Sequence, residues 1–93
     1  MPSFTLEEAE RVRDAVIERG DQIYEEQLKA FLEPKHTGRF VAVEPESGRY
    51  FLGDTGTEAL LSAHEAMPES HFYLKRIGFD YTHKLGGYGL GRR

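Results

Sequence analysis

The first third of this chain carries one continuous apolar stripe, and that stripe commits it to a long helix before any other element can be placed. Leu6, Ala9, Val12, Val16, Ile23 and Phe31 recur at intervals near 3.6 residues, the spacing that puts a set of side chains on one face of a helix. Thr5 followed by Glu8 has the spacing of a capping box, and Glu7, Glu8 and Glu10 suit the positive end of a helix dipole. The spacing predicts a helix over 5–32. Gly20 falls on the stripe without breaking its phase, so the helix is expected to run through Gly20-Asp21. The glycine then marks a close approach by another backbone rather than a hinge. Glu33-Pro34 is expected to end the helix, because the residue before a proline avoids the α region.

After a linker over 35–38 the period changes to that of strands. Arg39-Phe40-Val41-Ala42-Val43-Glu44 is rich in β-branched and aromatic residues, Pro45-Glu46-Ser47-Gly48 reads as a turn, and Arg49-Tyr50-Phe51-Leu52 returns to close a hairpin. Thr55 and Glu58 repeat the capping-box spacing. Ala59, Leu60, Ala63 and Met67 then form the apolar face of a second helix, which Pro68 stops. His71 to Ile77 reads as a third strand. Beyond Gly78, Phe79 to Leu85 alternates apolar and polar residues as a fourth strand with one buried face would. The order is α-β-β-α-β-β. The expected fold class is α+β, with a long N-terminal helix and a mainly antiparallel four-stranded sheet packed on the second helix. The long helix is expected either to cover the same face as the second or to project and pair with another chain. Residues 1–85 make one domain, with a ββαββ unit over 39–85, and the four glycines of 86–93 predict a flexible Gly/Arg tail.

Charge is distributed unevenly along the chain. Residues 1–33 hold nine acidic and four basic side chains, 34–69 six and three, and 70–93 one acid, Asp80, against five bases. An acidic helix and a basic C-terminal quarter suit contact with a protein partner, or an antiparallel arrangement of two copies, better than contact with phosphates. Eleven aromatic residues in 93 argue for a folded chain. The lack of cysteine removes disulfides, thiolate zinc sites and cysteine nucleophiles, and fits a reducing compartment. No apolar run reaches the length of a membrane span and no secretion signal opens the chain, so a cytoplasmic location is expected.

Few residues form a pattern that carries chemistry. Asp54-Thr55-Gly56 resembles the active-site tripeptide of retropepsin-like aspartic peptidases, in which two such aspartates share a proton. In a chain this short that chemistry requires a homodimer using Asp54 twice. A helix signal follows the tripeptide where that family has a strand, and no glycine-rich flap is evident. An ordinary helix entry at Asp54 or Thr55 accounts for the residues better. His36, His64, His71 and His83 lack metal-ligand spacing, so no metal is expected, and no cofactor is implied. Glu44, Glu46 and Asp54 stand near the hairpin, but nothing pairs them as acid and base. Lys75, Arg76 and Lys84 with Tyr73 and Tyr81 would make a weak nucleic-acid strip on the last hairpin. Neighbouring Lys75 and Arg76 point to opposite faces and dilute it. In the tail, Tyr88, Leu90, Arg92 and Arg93 are sparse anchors that a partner's groove could accept.

Several stretches are similar to a family of small uncharacterised bacterial proteins. They are Ile23-Tyr24-Glu25-Glu26, Gly38-Arg39-Phe40-Val41-Ala42-Val43, Glu46-Ser47-Gly48, Tyr50-Phe51-Leu52-Gly53-Asp54-Thr55 and Phe72-Tyr73-Leu74-Lys75-Arg76-Ile77-Gly78. The likeness spans about Tyr24 to Gly87. Members of that family are often encoded beside small toxins or retropepsin-like peptidases. The resemblance implies an accessory or antitoxin-like module and no catalytic residue. Together these readings point to a non-enzymatic protein-interaction module whose first helix and tail make the contacts, with dimerisation expected through that helix.

Overall fold

The computed structural model describes residues 5–79. The capping box at the start of the first helix forms on both sides. Thr5 Oγ1 accepts the Glu8 N–H at 3.1 Å, and the Glu8 carboxylate accepts the Thr5 N–H at 2.9 Å. From there the chain is helical without a break as far as His36, in three segments: α1 (Leu6–Ile23), a π-helical turn (Tyr24–Leu28) and α2 (Lys29–His36).

The π turn changes which side chains face inward. In it the Lys29 N–H reaches back to the Tyr24 carbonyl, five residues away, so one extra residue is accommodated and the helix beyond it is rotated by about 100°. The buried positions are Gly20 and Ile23 before the turn, Tyr24 and Leu28 within it, and Leu32 after it. Phe31, expected on the apolar stripe, is turned outward and is 61% exposed. The helix also outlasts its expected stop, with Pro34 inside α2. The pre-proline bias loses here because Leu32 is buried and the Glu33 carboxylate accepts the Tyr24 hydroxyl at 2.9 Å, which holds both residues in helical register. The Thr37 hydroxyl donates to the Glu33 carbonyl at the helix end.

Among the described residues three short strands form an antiparallel sheet in the order β2-β1-β3: β1 (Phe40–Val43), β2 (Tyr50–Gly53) and β3 (Tyr73–Arg76). Between β2 and β3 lies helix α3 (Gly56–Ala66). Thr55 caps α3 by accepting the Glu58 N–H at 3.1 Å, but Glu58 returns its carboxylate to the N–H of Asp54 instead of Thr55. The expected box is therefore half made. Met67 closes α3 just before Pro68.

Both faces of the sheet are apolar, so both need a cover. Val41, Val43, Tyr73 and Ile77 point to one face and pack with Ile23, Tyr24, Leu28 and Leu32. Ala42 points to the other with Phe40, Phe51 and Leu74, against Ala59 and Ala63 of α3. The long helix therefore lies on the face opposite α3, neither sharing that face nor projecting whole. Its second half is part of the core. Gly20 makes the approach possible, because a Cβ there would stand 2.3 Å from the Tyr73 Cβ. The expected fourth strand over 79–85 and the tail over 86–93 lie, after Phe79, outside the described residues.

Candidate interaction surface

The polar side chains that enter the core are used to tie elements together. Tyr24 is fully buried in the π turn. Its hydroxyl donates to Glu33 Oε2 and accepts the Gly78 N–H at 3.3 Å, joining the helix to the end of the third strand. Burial foremost, with Glu33 beside it, pushes this phenol up to about 12. Tyr73 passes over Gly20 and donates to Asp21 Oδ1 at 2.9 Å, so Gly20-Asp21 works as a socket and a latch for one side chain. Lys75, between Tyr73 and Ile77 in the strand alternation, is buried, and its ammonium lies 5.1 Å from the centre of the Tyr24 ring. None of these ties was evident from residue types alone, although the period-two spacing of Tyr73, Lys75 and Ile77 does place all three on one face.

The acids near the hairpin are likewise structural. Glu44 is buried at the turn. Burial pushes its carboxyl up, but the hydrogen bonds from Ser47 and from the Glu46 N–H, with Arg49 nearby, outweigh that and hold it below the usual carboxylate range. Asp54 sits between β2 and α3 with its side chain 76% exposed, its Oδ1 2.9 Å from the Arg39 guanidinium. Tyr73 and Lys75 are taken up by the core and Arg76 stacks on Phe40 and Phe79, so the described part of the basic strip does not form on one surface. Lys84 and Tyr81 lie outside the described residues, as do Tyr88, Leu90, Arg92 and Arg93. His64 packs edge-on against Phe72 and His36 contacts Arg39. Among the described residues no group of three or more His, Asp or Glu side chains is placed to hold a metal ion.

Apolar side chains also stay exposed on α1 ahead of Gly20, where Leu6 is 76% and Ile17 40% exposed; Phe31, Leu61 and Phe79 are the other large exposed hydrophobics among the described residues. Beside α1 runs an open groove of about 640 Å³ between Val12 and Val16 of α1 and the segments Glu44–Glu46 and Glu69–His71. It continues past His71 and Phe72 toward Ala9 and Ile17. Its lining mixes apolar Val12, Ala15, Val16 and Pro45 with the charged Arg19, Glu44, Glu46 and Glu69. Such a surface offers shape and apolar area to a macromolecular partner. No protein-family model, curated protein or solved structure matches this chain. Among the described residues no helix is long and apolar enough to cross a membrane.

Proposed function

We propose that this protein is a non-enzymatic interaction module, an antitoxin-like or accessory regulator that binds a partner protein through the first half of α1 and the tail anchors Tyr88, Leu90, Arg92 and Arg93. The observation that carries this reading is the division of the long helix. Its second half is anchored in the core, while the stretch before Gly20 holds Ala9, Val12 and Ile17 along an open groove whose inner edge is Val16, with Leu6 exposed ahead of it. An amphipathic helix fixed at one end and uncovered at the other is a preformed half of a helix-and-groove contact. The same face could instead join two copies, and a single capture experiment separates the two uses.

The fourth strand over 79–85 belongs to the same reading. The chain reverses at Ile77-Gly78, where Gly78 has φ +87° and the Phe79 N–H donates to the Arg76 carbonyl at 3.2 Å. That bond has the geometry of the first rung between β3 and an antiparallel successor. A strand returning along β3 would run toward Phe72 and His71, and so deliver the tail near the groove.

The test is capture of partners by tagged full-length protein from its native host, beside a chain ending at Leu85 and an Ile17→Glu variant. One stoichiometric protein bound by the full chain, and lost or weakened in both variants, is the expected result. Retention of only a second copy of the same chain would replace the partner reading with self-association. No bound protein in any arm would overturn it and return attention to peptidase activity at Asp54, for which Asp54→Asn is the decisive variant.

A further inference from the structure

We infer that in the free chain the groove beside α1 is the seat of the chain's own residues 86–93, which a partner must displace. The displacement rests on the partner reading above, but the seat itself does not. Among the described residues that line the groove, three carboxylates stand against one guanidinium, that of Arg19. Glu44 is committed to the N–H groups of its turn, which leaves the exposed Glu46 and Glu69 to meet incoming cations. Across from them Val12, Ala15 and Val16 make the α1 side apolar. Residues 86–93 carry the complement of this lining. Tyr88 and Leu90 match the apolar side, Arg92 and Arg93 match the two acids, and the segment holds no acidic side chain.

The spacing of the anchors suits an open groove. Gly87, Gly89 and Gly91 alternate with Tyr88, Leu90 and Arg92. In an extended chain alternate residues point to opposite sides, so the three anchors face one way and the glycines the other. A strip with side chains on one side alone buries all of them in a groove and leaves none stranded on its solvent side. From Tyr88 to Arg92 such a strip is about 13 Å long. The groove follows α1 from Val12 to Arg19, about 10 Å at the rise of a helix.

The chain reaches this seat without strain. Phe79 lies at the Arg76 end of β3, where its N–H donates to the Arg76 carbonyl, and His71 stands two residues before the other end. Arg76 and His71 are five residues apart, about 17 Å at the rise of a strand. Residues 80–85 can cover that length whether or not they pair with β3, so Gly86 comes within reach of the groove. A segment tethered this closely is present at an effective concentration in the millimolar range. At micromolar protein its own groove is therefore filled ahead of the groove of a second copy.

The test is NMR of the full chain with no partner present, for the wild type, Tyr88→Ser/Leu90→Ser, Arg92→Glu/Arg93→Glu and Ala15→Arg. A synthetic peptide of residues 86–93 serves as the probe. In the wild type the Tyr88 ring and the Leu90 methyls should give Overhauser contacts to the Val12 and Val16 methyls. Both tail variants should lose these contacts and shift the amides of 12–19 and 69–71, while those of α3 stay in place. The peptide should bind the Tyr88→Ser/Leu90→Ser chain about tenfold or more tightly than the wild type, whose groove is already filled. Ala15→Arg, at an exposed position on the groove wall, should exclude both tail and peptide. A wild type without contacts from the tail to α1, or a peptide that binds wild type and tail variant alike, would overturn the inference. So would contacts that run between labelled and unlabelled copies in a mixed sample, which would place the tail on a second chain. These readouts involve no partner, so they stand or fall separately from the capture experiment.

Discussion

The two faces of the sheet are covered by helices of opposite character. Under the long helix the side chains are large, with Tyr24, Ile23, Leu28 and Leu32 meeting Val41, Val43, Tyr73 and Ile77, and polar tips there are bonded across elements. Under α3 the fully buried contacts are alanines, and the larger Phe40, Phe51, Leu60, Phe72 and Leu74 form a half-buried ring around them. Alanine at Ala59 and Ala63 lets α3 descend until its backbone meets the sheet. A Cβ on Gly53 would stand 2.4 Å from the Ala59 nitrogen. One face is therefore sensitive to lost volume and the other to added volume, and the substitutions that probe the contrast run in opposite directions.

The largest effect is expected on the large-residue face. Leu32→Ala should lower unfolding stability by about 2–5 kcal/mol in denaturant titration, because Leu32 is fully buried and large neighbours cannot close the space. A loss of less than about 1 kcal/mol would mean the two faces do not differ as described.

Next comes an alkaline effect confined to the same face. The Tyr24 phenol is pushed up to about 12 in the folded chain, chiefly by burial. Between pH 10 and 12 the unfolded chain has released this proton and the folded chain still holds it, so stability falls as pH rises through that window. A shift of about two pH units corresponds to a loss on the order of 2–3 kcal/mol, fully present only below the ordinary phenol value. Tyr24→Phe should flatten this slope, while costing roughly 1–3 kcal/mol at neutral pH by leaving the Gly78 N–H and the Glu33 carboxylate without their partner. An unchanged alkaline slope in the variant would assign the loss to another group. Glu44 works in the other direction on pH. Its carboxyl is held below the ordinary value, so its contribution is present above that value and fades as pH falls through the folded one.

Smaller is the effect of adding one methyl group to the thin face. Gly53→Ala should cost about 1–3 kcal/mol, because the new methyl meets the α3 backbone and the helix must move as a body. Chemical-shift changes spread along α3, and absent from the long helix, would distinguish this displacement from general loosening.

These contrasts show which parts of the fold were readable in the sequence. Both helix starts, the hairpin turn and the unbroken helix through Gly20 follow from local rules of capping, turn chemistry and helical phase, and each holds in the structure, although it is the Tyr73 side chain and not a backbone that packs on Gly20. The π turn does not follow. Leu28 and Leu32 continue a spacing of four from Tyr24 just as Phe31 continues the earlier stripe, so the residues fit two phases and only contact with the sheet selects one. The opposite placement of the two helices was implicit in Phe40-Val41-Ala42-Val43, which is apolar on both sides, but a strand run alone does not say which helix covers which face. The candidate surface was least legible. Periodicity identifies apolar residues on α1 and cannot tell Val16, which packs against the core, from Leu6, which does not.

The smallest expected effect on stability concerns those uncovered residues, and it bears most directly on function. Ile17→Glu should change unfolding stability by no more than about 0.5 kcal/mol, since its side chain is partly solvated and α1 is anchored further along by Gly20, Ile23 and Tyr24. The same substitution places a charge on the rim of the groove and should weaken partner binding by far more than it weakens the fold. If instead Ile17→Glu destabilises the chain as strongly as Leu32→Ala, the stretch of α1 before Gly20 is a working part of the core. The division of the long helix into an anchored and an offered half would then be lost, along with the argument that α1 is held open for a partner.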